Sequence, residues 1–197
     1  MTPAASDLIL EKESVRRRVL AERDALPAEM RAAAAEAIAA RPLPVPLPAQ
    51  PEVSGFLPIR SEINPLPLMR VLAAAGAQLA LPVVVGRGHP LRLRAWMPGE
   101  TLVRKQWGIR EPEETSPELA PDIVLAPLAA FDRRGSRIGY GAAYYDMTIN
   151  ALRAIKPAIV IGLAYAMQEI ENVPTEPHDA KLDFIMTERE TIDCRGR

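Results

Sequence analysis

The sequence predicts an α/β protein with a mostly parallel open sheet, helices on both faces and a single domain. Short apolar segments such as VSGFL (53–57), DIVLAP (122–127) and AIVIGLA (158–164) are typical of strands that are buried on both faces. These segments alternate with segments of helical length, as they do around parallel sheets. A length of 197 residues is enough for one full-sized core. We therefore expect a Rossmann-like arrangement.

The composition excludes several classes of protein. Lys plus Arg is 24 and Asp plus Glu is 25, so the net charge of −1 does not suit a surface adapted to nucleic acid or to an anionic membrane. A single cysteine, Cys194, leaves no intramolecular disulfide and no cysteine metal site. From the acids near residue 10 and the lack of a long apolar stretch, we expect neither a signal peptide nor a transmembrane helix. We expect a cytoplasmic monomer or weak dimer without nucleic-acid or membrane partners.

The N-terminal part is predicted to be helical. Ser6 and Asp7 can cap a first helix that runs to about residue 25, and Pro27 opens a second, alanine-rich helix. The segment RPLPVPLPAQP then carries five prolines in eleven residues and is typical of an extended connector. We divide the single domain, 1–197, into N-terminal helices, a proline-rich connector and a sheet core, which cover residues 1–41, 42–51 and 52–190.

The sheet core alternates strands and helices. A helix is predicted over 61–75, because Pro65 and Pro67 fit only its first turn and Gly76 stops it. A second helix is predicted over 144–154, and residues 98–121 are expected to form loops. Strands are predicted at 53–57, 78–85, 91–96, 122–127 and 158–164, with FIMT (184–187) as a short last strand. Ligands of such sheets bind at the carboxyl ends of the strands, so the loops after residues 57, 85, 127 and 164 are the candidates.

A glycine-containing loop, RIGYGAAYYD (137–146), follows the strand at 122–127 and opens a helix. Glycines allow successive amides to point into one concavity, and the start of a helix adds positive potential, so this loop can bind phosphate. Arg133, Arg134 and Arg137 supply cations nearby. The segment is neither a P-loop nor a dinucleotide fingerprint. A tight turn that packs against the sheet remains the alternative.

Carboxylates and cations near the predicted strand ends are further candidates. Asp146 and Asp179 could hold Mg²⁺ beside a phosphate, although each could also be a helix cap or a solvated acid. Glu62 could bind a ligand or act as an acid in the first turn of a helix. Spacings of four and seven place three basic residues of the first helix on one face, which could bind anions or be an exposed charged face: Lys12, Arg16 and Arg23.

Most of the few aromatic residues form a set of five, of which four lie in predicted loops or at loop–helix junctions. A flat heteroaromatic ligand could stack there, and packing is the alternative explanation for each residue. These aromatic residues are Phe56, Trp107, Tyr140, Tyr144 and Tyr145.

The segment FDRRGSRIGYGAAYYD (131–146) resembles the signature of the 5-formyltetrahydrofolate cyclo-ligase family. That signature has AFD, two residues, G, any residue, R, an aliphatic residue, G, any residue, G, further glycines and YYD. Other segments follow in the order of the family, over about residues 10–188. They are the basic first helix, SEIN (61–64), LALPVV (79–84), GIREP (108–112), DIVLAPLAAFD (122–132) and PHDAKLD (177–183).

The resemblance implies an ATP- and Mg²⁺-dependent ligase of one-carbon metabolism. It would convert 5-formyltetrahydrofolate to 5,10-methenyltetrahydrofolate, with release of ADP and phosphate. ATP would be bound by Lys12, Arg16 and the loop residues Arg137, Gly139, Tyr140, Gly141, Ala142, Ala143, Tyr144 and Tyr145. Folate would be bound by Phe56, Glu62, Trp107 and Tyr144. Catalytic roles would fall to Arg137, Tyr144 and Tyr145, and Mg²⁺ would be held by Asp146 and Asp179.

The chain departs from the family at the centre of the signature. Ala142 and Ala143 stand where the family usually has glycine at one or both positions, and Met147 stands where an arginine commonly follows YYD. A left-handed backbone at either alanine costs roughly 1–2 kcal/mol. Two alternatives therefore stay open: a divergent, non-catalytic family member that binds nucleotide or folate in a regulatory role, and an unrelated α/β enzyme acting on a phosphorylated small molecule.

Overall fold

The computed structural model describes residues 5–105 and 110–196. Within them the helices are α1 (Ala5–Asp24), α2 (Ala28–Ala39), α3 (Leu66–Ala74) and α4 (Tyr144–Ile155), with a short 3-10 helix at Ala166–Gln168. The strands are β1 (Glu52–Ser54), β2 (Gln78–Val83), β3 (Arg92–Ala95), β4 (Val103–Arg104), β5 (Arg110–Glu111), β6 (Ile123–Pro127), β7 (Ala130–Phe131), β8 (Arg137–Ile138), β9 (Ile159–Leu163), β10 (Phe184–Met186) and β11 (Thr191–Asp193).

The central sheet has seven strands in the order β11-β10-β9-β6-β1-β2-β3. The five inner strands are parallel, and the edge strands β3 and β11 are antiparallel to their neighbours. The mostly parallel sheet is therefore confirmed. The prediction that the last strand lies at 184–187 is wrong, because β11 returns beside β10 after a turn in which the amide of Thr187 donates to the carbonyl of Glu190.

Alternate residues of the inner strands face two different helical layers. In β6, Ile123 and Leu125 pack with residues of α2 and α3, whereas Val124 and Ala126 pack with residues of α4. This alternation is the period of two of a strand, applied to a sheet that is apolar on both faces. The prediction of helices on both faces is thus confirmed.

Helix α1 lies outside these two layers. Val19 packs against Ala130 of β7 and Ile138 of β8, a short antiparallel hairpin that follows the carboxyl end of β6. The helix therefore crosses the edge of the sheet where the parallel strands end, and its basic residues lie near that edge. The predicted cap at Ser6 and Asp7 is wrong, because both residues already lie within α1.

Two other predictions about elements are wrong. The helix predicted from residue 61 begins at Leu66, because a residue before proline, here Asn64, is biased towards extended backbone. Gly76, with φ +92°, ends this helix as predicted. The region 98–121, predicted to form loops, contains β4 and β5 as an antiparallel pair. No helix among the described residues combines the length and apolar character needed to cross a lipid bilayer.

Candidate active site

A cavity of about 560 Å³ opens at the carboxyl ends of the parallel strands. It lies where the topology reverses, since the chain proceeds from β1 to β2 on one side of the sheet and from β6 to β9 on the other. Such a switch point is where open α/β sheets bind ligands. The lining includes a segment after β1, the ends of β2 and β6, and the glycine loop, by which we mean residues 137–146.

One side of the cavity, which we call the Glu62 end, contains Phe56, Glu62 and Tyr140. Glu62 is buried, and its Oε2 accepts a hydrogen bond of 2.7 Å from the amide of Ile59. Burial raises the pKa of the Glu62 carboxyl, although the Ile59 amide, the Tyr140 hydroxyl and the charge of Arg23 all act in the opposite direction. This carboxyl group therefore lies in a medium of low polarity, where hydrogen bonds from a ligand count strongly.

Arg23 of α1 binds two side chains beside Glu62. Its guanidinium donates to Ser61 Oγ at 2.9 Å and to Tyr140 Oη at 2.7 Å, and the residue is 1 % exposed. The alternative of an exposed charged helix face is therefore wrong for Arg23. Helical spacing could have indicated its burial, because Arg23 lies four residues after the buried Val19.

The other side of the cavity, which we call the Asp146 end, contains Arg137 and Asp146. Nη2 of the buried Arg137 lies 2.8 Å from Oδ1 of Asp146, and the amide of Ala180 donates to the same oxygen at 3.0 Å. Arg137 also donates to the carbonyl of Ala180. The two bonds to Ala180 therefore fix the glycine loop to the segment that carries Asp179.

Helix α1 supplies two more cations at this end. Nζ of Lys12 lies 2.6 Å from Asp179 Oδ2 and 2.9 Å from Glu176 Oε2. Burial alone would lower the pKa of Lys12, but these two carboxylates outweigh it and raise the pKa. Arg16 donates from Nε to the carbonyl of Gly139 at 2.7 Å. Neither basic residue therefore forms an exposed charged face: Lys12 binds the segment that carries Asp179 and Arg16 binds the glycine loop, next to the cavity but outside its lining.

The glycine loop leads directly into α4. Gly141 and Ala143 have left-handed backbone, with φ of +95° and +54°. Ala143 is the N-cap of α4 and offers no side-chain cap, so the first amides of the helix are left for other acceptors. Residues Ala142, Ala143, Tyr144 and Tyr145 line the cavity beside these amides. A helix start of this kind favours an anion.

The comparison of the sequence with known families excludes one of the open alternatives. Residues 9–188 match the model of the 5-formyltetrahydrofolate cyclo-ligase family. The chain belongs to this family. An α/β enzyme unrelated to it is thereby excluded.

Curated cyclo-ligases and solved structures are similar to the chain over most of its length. A 5-formyltetrahydrofolate cyclo-ligase of Mycolicibacterium smegmatis is 34% identical over 150 residues, which is 71% of this chain and 75% of the relative. That of Escherichia coli K12 is 33% identical, over 68% of this chain and 76% of the relative. The NMR structure of Aquifex aeolicus 5,10-methenyltetrahydrofolate synthetase superposes with a TM-score of 0.76, at 27% identity and 94% coverage of each chain.

The two predicted metal ligands belong to neighbouring but separate groups of side chains, Asp146 with Arg137 and Asp179 with Glu176 and His178. Asp146 and Asp179 lie on adjoining segments, because the amide of Ala180 binds Asp146. Oxygen and nitrogen atoms of Glu176, His178 and Asp179 lie within 4.8 Å of one another. Carboxylates are the ligands that Mg²⁺ prefers, although Lys12 and Arg137 neutralise them here. Glu176 was not predicted from the sequence, although its closeness to His178 and Asp179 along the chain could have indicated it.

The remaining predicted cyclo-ligase residues divide into two groups. Phe56, Tyr140, Tyr144 and Tyr145 line the cavity as expected, and burial raises the pKa of the Tyr145 hydroxyl. Trp107 lies outside the described residues. Their roles in binding and catalysis stay predictions.

The prediction that Arg133 and Arg134 supply cations to the glycine loop is wrong. Arg133 is held by Glu169 at 2.7 Å and also pairs with Glu190, while Arg134 pairs with Asp132 at 3.0 Å. Only Arg137 of the three lines the cavity, and Arg110, which the sequence did not single out, lines it as well.

Proposed function

We propose that this protein converts 5-formyltetrahydrofolate to 5,10-methenyltetrahydrofolate in an ATP-dependent reaction that releases ADP and phosphate. The observation that carries the proposal is that one cavity joins a buried carboxyl group, Glu62, to an uncapped helix start with cations. Glu62 suits the amino and ring N–H groups of a pterin, because a carboxylate accepts hydrogen bonds from both. The helix start suits a triphosphate. Membership in the cyclo-ligase family supports the same pair of ligands.

The proposed chemistry begins with activation of the formyl group. A formamide oxygen is a poor leaving group, and transfer of the γ-phosphoryl group of ATP to it gives an iminium phosphate. The folate N10 then attacks the formyl carbon, forms the new C–N bond and loses its proton, and phosphate leaves with the oxygen. The protein contributes by holding both reactants in line and by neutralising charge on the phosphoryl group.

The proposed phosphate contacts lie at the Asp146 end of the cavity, and the proposed folate contacts lie at the Glu62 end. Lys12 and Arg16 are proposed to meet the phosphates from α1, and the amides of residues 141–145 to meet them from the glycine loop. Phe56 and Tyr144 are proposed to contact the aromatic rings of the folate, beside Glu62. Mg²⁺, held by Asp146 and Asp179, would supply charge neutralisation to the phosphates when it is bound.

Binding without catalysis is a second candidate, because one observation favours it. Ala143 has a left-handed backbone at the centre of the signature, where the family usually has glycine. Its Cβ occupies space beside the helix start and could restrict the approach of a phosphate. A divergent member with this feature would bind nucleotide or folate in a regulatory role.

A direct assay distinguishes these candidates. The purified chain is mixed with 5-formyltetrahydrofolate, ATP and Mg²⁺, and the absorbance of the methenyl product is followed, with a control that lacks ATP. We expect a rise that depends on ATP, with one ADP released for each product molecule. Folate binding without an ATP-dependent rise would favour the non-catalytic candidate. If calorimetry detected neither ligand, both candidates would be wrong.

A further inference from the structure

Arg23 is a buried cation whose direct partners are neutral. Its guanidinium donates to the hydroxyl groups of Ser61 and Tyr140, and it also lies over the Tyr140 ring, 5.7 Å from the ring centre. Among the described residues it forms no ion pair with a carboxylate. Burying a guanidinium without a direct counter-charge is costly. Its position beneath the ligand cavity therefore indicates a functional role rather than a contribution to stability.

The hydrogen bonds around Arg23 have a defined direction. A guanidinium only donates, so the oxygens of both hydroxyl partners accept from it, and their own protons are available to other groups. Ser61 donates its proton to Asp24. Tyr140 interacts with the carboxyl group of Glu62, to which its proton can be donated. A chain of oriented groups thus runs from Asp24 to the carboxyl group in the cavity.

We infer that Arg23 is a positioning residue that fixes the orientation and the charge of Glu62 in the cavity. The inference rests on the proposed function, since pterin binding gives Glu62 its role. Arg23 acts on Glu62 from two directions: through the side chain of Ser61, the preceding residue, and through the hydroxyl group of Tyr140. Replacing Arg23 would therefore remove the interactions that hold Ser61 and Tyr140 in place on either side of the Glu62 carboxyl group.

The groups that face Glu62 make the electrostatic part of this inference testable. Arg23 approaches from α1, Tyr140 from the glycine loop and Tyr145 from α4. After β9, Tyr165 donates its hydroxyl proton to the main-chain carbonyl of Glu62 at 3.4 Å. Arg23 is the one cation in this set of described residues. Loss of its charge should therefore move the pKa of Glu62 upwards.

The test is a carbon-13 NMR titration of the Glu62 carboxyl group in the ligand-free protein. Arg23→Gln and Tyr140→Phe should each raise its pKa by about 1 relative to the wild type. Arg41→Gln is the matched control. Arg41 also donates to neutral acceptors, the carbonyls of Thr187 and Glu188, at 3.0 and 2.9 Å, but it does not line the cavity. An unchanged Glu62 pKa in the first two variants, or an equal rise in Arg41→Gln, would overturn the inference.

Tyr140→Phe keeps the test decisive if Arg23→Gln does not fold. This variant removes only a hydroxyl group from a residue that is 43% exposed, and it leaves the bond from Arg23 to Ser61 in place.

Kinetics supply a second readout. In Tyr140→Phe and in Arg23→Gln, the KM for 5-formyltetrahydrofolate should rise about tenfold with little change in kcat. The double variant should lose less than the sum of the two single losses, because the action of Arg23 passes in part through the hydroxyl group that Tyr140→Phe removes. Additive losses would contradict action through Tyr140. If the wild type shows no turnover, the proposed function fails, and the titration still decides the role of Arg23.

Discussion

The carboxyl groups at the two ends of the cavity have opposite surroundings. At the Glu62 end a single carboxyl group lies among neutral hydroxyl groups and one cation that does not touch it. At the Asp146 end every carboxylate that we expect to bind a ligand is already paired with a cation, Asp146 with Arg137 and Asp179 with Lys12. One end therefore presents its charge to the cavity, whereas the other has neutralised it.

The difference has a consequence for how ligands bind. A ligand with N–H donors can join Glu62 without displacing a protein group, so this end is preorganised and binding costs little rearrangement. A phosphate or a cation at the Asp146 end must compete with ion pairs of 2.6 to 2.8 Å. We expect binding there to exchange partners, with the cations moving to phosphate and the carboxylates to the metal.

The strongest way to test the comparison is to remove a carboxylate from the Asp146 end. Asp146→Ala should lower the Mg²⁺-dependent turnover by at least about 100-fold, because the metal would lose a ligand and Arg137 its counter-charge. Steady-state kinetics at increasing Mg²⁺ measure the effect.

Asp183→Ala is the matched control for this variant. Asp183 pairs with Arg153 at 2.7 Å and is 22% exposed in its side chain, against 19% for Asp146, but it lies outside the cavity. Its removal should affect stability and leave kcat unchanged. Equal turnover in Asp146→Ala and the wild type would remove Asp146 from the proposed metal site.

The next effect in size concerns the Glu62 end. Glu62→Gln should weaken binding of 5-formyltetrahydrofolate about 30-fold, because a hydrogen bond to a charged acceptor is replaced by one to a neutral amide. ATP binding should be unchanged, since the phosphates are expected at the other end. Isothermal titration calorimetry with each ligand separates the two. A parallel loss of ATP affinity would contradict the division of the cavity.

Glu62→Gln should also be more stable than the wild type at neutral pH. Burial raises the pKa of Glu62, so the folded protein holds this proton more tightly than the unfolded chain does. The stabilisation is present in full below the unfolded pKa and is lost as the pH rises through the folded pKa. We expect Glu62→Gln to have a Tm about 2 °C higher at pH 7, with no difference in acid. An equal or lower Tm at pH 7 would show that the ionised carboxylate is well stabilised.

Lys12 offers a smaller effect at the Asp146 end. Lys12→Gln should raise the KM for ATP about tenfold and make it less dependent on ionic strength, because one phosphate contact with a full charge is lost. Lys156→Gln is the matched control, since Lys156 also pairs with an aspartate at 2.6 Å, but with Asp122 at the amino end of β6, the opposite end of the sheet from the cavity. Initial rates at several salt concentrations measure both variants, and similar changes in the two would exclude a specific role of Lys12.

The sequence predicted those parts of the molecule that depend on local patterns. The buried strands and the start of α4 follow from apolar runs and from helix signals, and the cavity follows from the rule for parallel sheets. Arg133 was predicted in the site because it precedes the glycine loop, yet its partner Glu169 lies 36 positions away. No local pattern encodes such a pairing. The hydrogen bonds of Arg23 to Ser61 and Tyr140 join segments 38 and 117 positions apart, and they depend on the whole fold.

The smallest effect tests the glycine loop, which connects the two ends. Because Ala143 has φ +54° and Ala142 does not have a positive φ, glycine should act oppositely at the two neighbouring positions. Ala143→Gly relieves a left-handed alanine and should raise the free energy of unfolding by about 0.5–1 kcal/mol, after the greater chain entropy of glycine is subtracted. Ala142→Gly adds only that entropy and should lower it by a similar amount. Chemical denaturation measures both variants. If Ala143→Gly also raised turnover, the left-handed alanine would be restricting the phosphates, and equal effects at the two positions would mean that the loop carries no strain.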